Sequence, residues 1–127
     1  MEKKILFTES APAAIGPYSQ GVMAGNMLFV AGQVPIDPET AELVKGGIEE
    51  KTHQVIRNIR AIAEAAGSNL DRTLKTTVFL KNMDDFAAMN RVYGQYFTEK
   101  PPARSAIQVS GLPKGADIEI EAIIALP

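Results

Sequence analysis

The chain has 127 residues, of which 46% are hydrophobic and 22% are charged, and its net charge at pH 7 is −2. These values are ordinary for one globular domain, so we expect residues 1–127 to form a single domain. The weak negative charge disfavours a nucleic-acid partner, and no apolar run is long enough to span a membrane. The chain has no cysteine and one histidine, His53, which excludes thiolate metal sites and disfavours a Ser-His-Asp triad. We therefore expect a cytoplasmic protein that uses no metal and no cofactor.

The first third of the chain predicts three strands, at residues 5–8, 18–24 and 27–34. The third is an almost unbroken apolar run, which is typical of a strand covered on both sides. Pro35 and Pro38 end it, and a polar loop is predicted from there to the next helix.

The clearest predicted helix begins near Ile48 and ends before Gly67, which favours the left-handed conformation that follows a helix. Its apolar residues recur with the helical period: Ile48, Val55, Ile56, Ile59, Ile62, Ala63 and Ala66. A β-branched segment at 75–80 predicts a strand. Asn82, Asp84 and Asp85 then indicate the start of a second helix, which Pro101 and Pro102 do not allow to continue.

The last quarter of the chain alternates apolar and polar residues at 103–109 and at 118–125, with turn residues between. Arg104 lies on one face of the first predicted strand, and Glu119 and Glu121 share one face of the second. We interpret a long cation and two carboxylates on neighbouring strands as a site for a small anionic ligand. A structural ion pair between Arg104 and Glu119 is the alternative.

The predicted order of elements is β-β-β-α-β-α-β-β. Two helices cannot cover both faces of six strands, so we predict an α+β fold, a single six-stranded mostly antiparallel sheet with two helices on one face. The other face would expose apolar residues such as Ile123 and Ala125. We therefore expect self-association through the bare face, with any pocket between subunits.

Five segments together resemble the RidA (YjgF) family, and the resemblance extends over essentially the whole chain. The segments read AAIGPYSQ at 13–20, AGQ at 31–33, KTTVF at 75–79, PARS at 102–105 and IEIEA at 118–122. The resemblance implies a chorismate-mutase-like fold that assembles as a homotrimer, with sheet faces packed inside and clefts at the subunit interfaces.

The same resemblance implies a cofactor-independent 2-iminobutanoate/2-iminopropanoate deaminase. Enzymes of the family hydrolyse reactive 2-imino acids and their enamine tautomers, such as 2-aminoacrylate, to 2-keto acids and ammonia. A second possibility is a non-enzymatic trimer that binds a keto acid and acts in regulation. A ribonuclease activity has been attached to some relatives, but the acidic composition and the lone histidine disfavour it here.

The resemblance also assigns the catalytic residues. Arg104 would bind the substrate carboxylate, since its planar fork of donors fits a carboxylate with two hydrogen bonds. Glu119 would hold and activate the attacking water, and a partly apolar cleft should raise its pKa toward useful base strength.

The remaining implied substrate-binding residues surround these two. Tyr18 and the backbone at Gly32 would line the cleft from the other subunit, and Asn90 would close one wall. Many members of the family have cysteine where this chain has Ala106, whose main-chain carbonyl would contact the water. We expect Glu121 to be a subunit contact or a solvated residue, and His53 to lie on the surface.

Overall fold

The computed structural model describes residues 1–127 and contains eight strands and two α-helices. The strands are β1 Lys3–Leu6, β2 Gly21–Ala24, β3 Met27–Gln33, β4 Ile36–Asp37, β5 Glu42–Leu43, β6 Thr73–Leu80, β7 Ala103–Gln108 and β8 Ile118–Ala125. The helices are α1 Ile48–Ala65 and α2 Phe86–Tyr96, and short 3₁₀ turns occupy Leu70–Arg72, Met83–Asp85 and Pro113–Gly115. Neither α1 nor α2 has both the length and the apolar character needed to cross a bilayer.

Six strands form one sheet in the order β1-β2-β3-β8-β6-β7. Every neighbouring pair is antiparallel except β6 and β7, which are parallel. The mostly antiparallel six-stranded sheet is therefore confirmed. The prediction that the last two strands are neighbours is wrong, because β6 lies between β7 and β8.

Both helices pack on one face of the sheet, as the prediction of an α+β fold requires. On β8, Ile118, Ile120, Ala122 and Ile124 are buried, and α1 packs against this strand and β3. The apolar stripe of α1 supplies most of the other side of this core, including fully buried Val55 and Ile56. Gly67 follows α1 with φ +81°, the left-handed conformation expected after the helix.

The opposite face of the sheet, which we call the open face, has no covering layer within the chain. On β3 the burial alternates: Leu28 and Val30 are buried, whereas Met27 and Phe29 are 39% and 42% exposed. The prediction that this strand is covered on both sides is thus wrong for the single chain. Ile107, 45% exposed, extends the apolar part of the open face.

The segment predicted as a polar loop contains a two-stranded hairpin. Ile36 pairs with Leu43 and Asp37 with Glu42, so β4 and β5 form a small second sheet. Two-residue strands carry too little alternation to be detected in the sequence. The hairpin matters because it forms part of a cavity wall.

Candidate active site in two halves

Glu119 forms the centre of the first half. It lies on β8 between buried Ile118 and Ile120, so its side chain points to the open face. The adjacent strand β3 has an irregular register between Val30 and Gln33, and Gly32 lies in this bulge. The Glu119 carboxylate occupies the space that a side chain at Gly32 would need: a Cβ built there would lie 2.0 Å from Oε2 of Glu119. Gly32 is therefore required by the position of the carboxylate.

A cavity of about 590 Å³ opens beside Glu119. Its polar side chains are those of Tyr18, Lys114 and Glu119, and the rest of its lining is apolar or backbone: Pro12, Ala13, Ile15, Ala31, Gly32, Val34, Ile36, Pro38, Ala41 and Pro113. Tyr18 is 53% exposed, and its hydroxyl accepts a hydrogen bond from the N–H of Ile15 at 3.4 Å. Lys114 has φ +60°, a left-handed conformation that is uncommon for lysine.

The pKa of the Glu119 carboxyl is raised above its ordinary value of 4.5. Partial burial is the main cause, because it disfavours the charged form, and the negative charge of Glu121 on the same face adds to the effect. This is the direction that the sequence predicts for Glu119. A carboxyl tuned in this way beside an apolar cavity is suited to proton transfer.

Arg104 forms the centre of the second half. Its Nη1 donates a hydrogen bond of 2.7 Å to Oδ1 of Asn90 on α2. Its guanidinium carbon lies 4.8 Å from the ring centroid of Tyr93 and 5.5 Å from that of Phe86. The two rings and the amide fix the direction of the guanidinium and leave its other N–H groups without a protein acceptor.

The support beneath Arg104 is itself anchored. Tyr93 is 5% exposed, and its hydroxyl is 2.6 Å from Oγ1 of fully buried Thr76. Burial raises the pKa of Tyr93, while the hydrogen bond to Thr76 and the charge of Arg104 act in the opposite direction. The register pairs Thr76 with Arg104, so both side chains are on the helix-covered face of the sheet.

Arg104 and Glu119 therefore lie on opposite faces of the sheet, and the prediction that they share one site within the chain is wrong. Arg104 forms no ion pair with Glu119 or Glu121, so the alternative of a structural ion pair is wrong as well. Alternation fixes the face of a residue relative to its own strand, but the way β7 and β8 are arranged around β6 depends on long-range pairing.

The structure divides the predicted substrate-binding residues between the two halves. Tyr18 and Gly32 accompany Glu119 within one chain, so the expectation that they face it from the other subunit is wrong. Asn90 is bound to Arg104. Ala106 is half-buried, two residues after Arg104 and on the same face of β7.

Sequence reasoning missed several residues that build the halves. In the sequence, Tyr93 and Phe86 look like members of the apolar stripe of a helix. Their contact with the Arg104 guanidinium is visible only in the fold, because the three residues are distant in sequence. His53, expected on the surface, is half-buried, with Nδ1 2.7 Å from the hydroxyl of Tyr96. It contributes to neither half. No group of three or more His, Cys, Asp or Glu side chains is arranged to hold a metal ion.

Residues 8–126 match the family model described as Endoribonuclease L-PSP. A RutC family protein of Pyrococcus horikoshii is 60% identical over 121 residues, which are 95% of this chain and 96% of the relative. RidA from the Antarctic bacterium Psychrobacter has a TM-score of 0.93 and 45% identity, covering 97% of this chain and 99% of that one. The E. coli TdcF structure with bound serine has a TM-score of 0.93 and 42% identity, covering 98% and 99%. The chain belongs to the RidA (YjgF) family, and the resemblance found in the sequence is confirmed.

Proposed function

We propose that the protein hydrolyses 2-imino acids and their enamine tautomers to 2-keto acids and ammonia. The observation that supports this most is the pair of complementary, unneutralised groups: a guanidinium fixed by Asn90 and Tyr93, and a carboxyl of raised pKa beside an apolar cavity. One group suits the carboxylate of an imino acid, and the other suits the water that must attack it.

The free donors of Arg104 can form two parallel, charge-assisted hydrogen bonds to the substrate carboxylate, worth about 1.5–3 kcal/mol each. Asn90 restrains the guanidinium from one side and the Tyr93 ring from another, so little side-chain freedom is lost on binding. The TdcF structure holds serine, which has a carboxylate of the same kind.

Glu119 would act as base and then as acid. It accepts a proton from water as the water oxygen bonds to the carbon of the N-protonated C=N group. It then returns that proton to the nitrogen. The C–N bond then breaks as the new hydroxyl loses its proton to Glu119 and the C=O bond forms. Glu119 passes this proton to the departing ammonia, which leaves as ammonium, so the carboxylate is regenerated. A raised pKa brings the carboxyl closer to the operating pH, where proton transfer in both directions is efficient. No covalent nucleophile is needed.

We further propose that each site is completed by two chains of a homotrimer, with Arg104 from one subunit and Glu119 from its neighbour. The two side chains lie on opposite faces of the sheet, so one chain cannot direct both at a small substrate. Exposed Phe29 and Ile107 on the open face favour self-association, since large apolar patches are uncommon on isolated proteins. The family resemblance implies a homotrimer with clefts at its subunit interfaces.

The activity is tested by trapping. An amino-acid oxidase generates the imino acid, semicarbazide captures it, and the purified protein competes for it. Semicarbazone formation should fall with the wild type but not with Arg104→Ala or Glu119→Ala. If it does not fall for imino acids derived from alanine, threonine, leucine or methionine, the proposed hydrolysis is wrong.

Subunit mixing tests whether two chains share a site. Arg104→Ala and Glu119→Ala should each be inactive alone, but co-refolded in equal amounts they should regain activity. Random assembly gives both intact residues at about one quarter of the sites. If the mixture remains inactive although mixed trimers form, the two residues act from the same chain.

A metabolite-binding role is the second candidate, since Arg104 with its supports could hold a 2-keto acid without Glu119. Glu119→Gln separates the two functions. If the protein is a hydrolase, Glu119→Gln should lose turnover and keep its affinity for 2-oxobutanoate. If it is a binding protein, the wild type should already show no turnover.

The name of the matching family model, endoribonuclease, describes a function that the site does not favour. The net charge is −2, whereas binding to a phosphate backbone depends on clustered positive charge. The only imidazole is paired with Tyr96, away from both halves of the site.

A further inference from the structure

Two buried side-chain amides lie behind the cavity, and the mechanism above uses neither. Gln20 is 2% exposed and Asn58 is 1% exposed. Each is hydrogen-bonded to main-chain carbonyls of a different wall. Buried amides are costly unless all their polar atoms are paired, so their presence at these two positions needs an explanation.

Gln20 holds the segment 8–13, whose Pro12 and Ala13 form one wall of the cavity. Its Nε2 donates to the carbonyl oxygens of Thr8, Ala11 and Pro12 at 2.9, 3.2 and 2.8 Å, and its Oε1 accepts from the N–H of Thr8 at 2.8 Å. Its own main-chain carbonyl accepts from the N–H of Ala31 at 2.9 Å. Gln20 thus joins this wall to the strand that carries the bulge beside Glu119.

Asn58 holds a second wall, where the chain leaves β3 and enters the hairpin. Its Nδ2 donates to the carbonyl oxygen of Ile36 at 2.9 Å and to that of Val34 at 3.4 Å. Both of these residues line the cavity. The Oδ1 of Asn58 accepts from Gln54, one turn earlier on α1, at 2.9 Å.

These bonds matter because neither wall belongs to the six-stranded sheet. Residues 8–13 lie outside any strand, and the hairpin pairs only with itself. The carbonyl groups of Ala11, Pro12 and Ile36 accept from these side-chain amides, each of which supplies two N–H groups. Each wall is consequently tied to the core by one buried side chain.

We propose that Gln20 and Asn58 are positioning residues that fix the width of the cavity and thereby determine which substrate side chains it accepts. The proposal rests on the proposed function and adds that the imino-acid side chain occupies this mostly apolar cavity beside Glu119. An apolar pocket of fixed shape discriminates about 10- to 200-fold for a single methylene group. Walls released from their anchors adapt to side chains of different length and lose that discrimination.

The test uses Gln20→Met and Asn58→Leu, which remove the hydrogen bonds and keep approximately the side-chain volume. Gln108→Met is the matched control, because it removes the 2.7 Å hydrogen bond that the Gln108 amide accepts from the N–H of Met83 without touching a cavity wall, Gln20 or Asn58. The kcat/KM is measured for imino acids derived from alanine, 2-aminobutanoate, norvaline and norleucine. The ratio between two substrates does not depend on the fraction of active protein, so partial unfolding does not imitate the effect.

We expect the ratio of kcat/KM between the longest and the shortest substrate to differ from that of the wild type by about fivefold or more in both wall variants. The control should retain the wild-type ratio. If all four substrates lose the same factor in Gln20→Met, the amide is only structural and the proposal is overturned. It is likewise overturned if Gln108→Met changes the ratio as much as the wall variants do.

Binding separates this proposal from the proposed function. If the wild type has no turnover, the dissociation constants of the matching 2-oxo acids, measured by NMR titration, take the place of kcat/KM. Loss of chain-length dependence in Gln20→Met would then support the positioning role while the hydrolase fails. Unchanged dependence, or no binding of any acid by the wild type, would overturn it. Should Asn58→Leu not fold, Gln20→Met decides alone, with faster hydrogen exchange expected at residues 8–15.

Discussion

Replacing Gly32 with alanine should separate activity from folding. The backbone at this position does not have a positive φ, so alanine causes no strain there. Its Cβ, however, would lie 2.0 Å from Oε2 and 2.7 Å from Cδ of Glu119. An ordinary contact needs about 3.4 Å, so the oxygen must withdraw by about 1.4 Å. The atoms that have to move are at the end of a flexible side chain, which makes the adjustment inexpensive for the fold.

A displacement of this size is large for a catalytic base. Misplacement by 1 Å can cost about 100-fold in rate, so we expect kcat in Gly32→Ala to fall about 100-fold or more. The free energy of unfolding should change by less than about 1 kcal/mol, because alanine lowers the entropy of the unfolded chain while the displaced carboxylate loses contacts.

The assay is semicarbazone competition together with a thermal melt. Gly94→Ala is the control: Gly94 is exposed in α2, and a Cβ added there would meet nothing within 4 Å, so the change should stabilise by about 0.5–1 kcal/mol and leave activity intact. Near wild-type activity in Gly32→Ala would show that the position of the carboxylate over Gly32 is not the catalytic one.

Three further outcomes are expected. Arg104→Lys keeps the charge but loses the planar fork, so kcat/KM should fall roughly 10- to 100-fold, mainly through KM; an unchanged KM would contradict the assigned role. Tyr93→Phe leaves buried Thr76 without its partner and should lower the unfolding free energy by about 1–2 kcal/mol in a denaturant titration. The raised pKa of Glu119 stabilises the fold at low pH, and this contribution is lost as pH rises through the folded pKa. The thermal midpoint of Glu119→Gln minus that of the wild type should therefore increase from about pH 4 to about pH 8. A difference that does not change with pH would refute the burial argument.

The elements that could be predicted from the sequence are those defined by local patterns. The helix at Ile48–Ala65 follows from apolar spacing and from Gly67 after its end, and the alternation of β8 correctly predicts its buried face. Family membership follows from five segments of sequence. The assignment of Arg104 and Glu119 as catalytic residues depends on that family membership, and their roles stay predictions.

What could not be predicted depends on pairing between distant segments. The turn residues from Gly111 to Gly115 suggest a hairpin, yet β7 pairs with β6 in parallel and β8 lies on the other side of β6. The face of Arg104 relative to Glu119 depends on that arrangement. The hairpin at Ile36 and its anchor at Asn58 also escape prediction, because a single buried amide on a helix has no distinctive pattern in sequence.

The opposite placement of Arg104 and Glu119 on the sheet has a consequence for how the activity would respond to dilution. With a proposed site shared between chains, the working catalyst is the assembly, and its amount follows mass action rather than total protein. Specific activity should then fall at low protein concentration and recover when the protein is concentrated again. A substrate that bridges two subunits would stabilise the assembly, so it would oppose dissociation and the loss of activity on dilution.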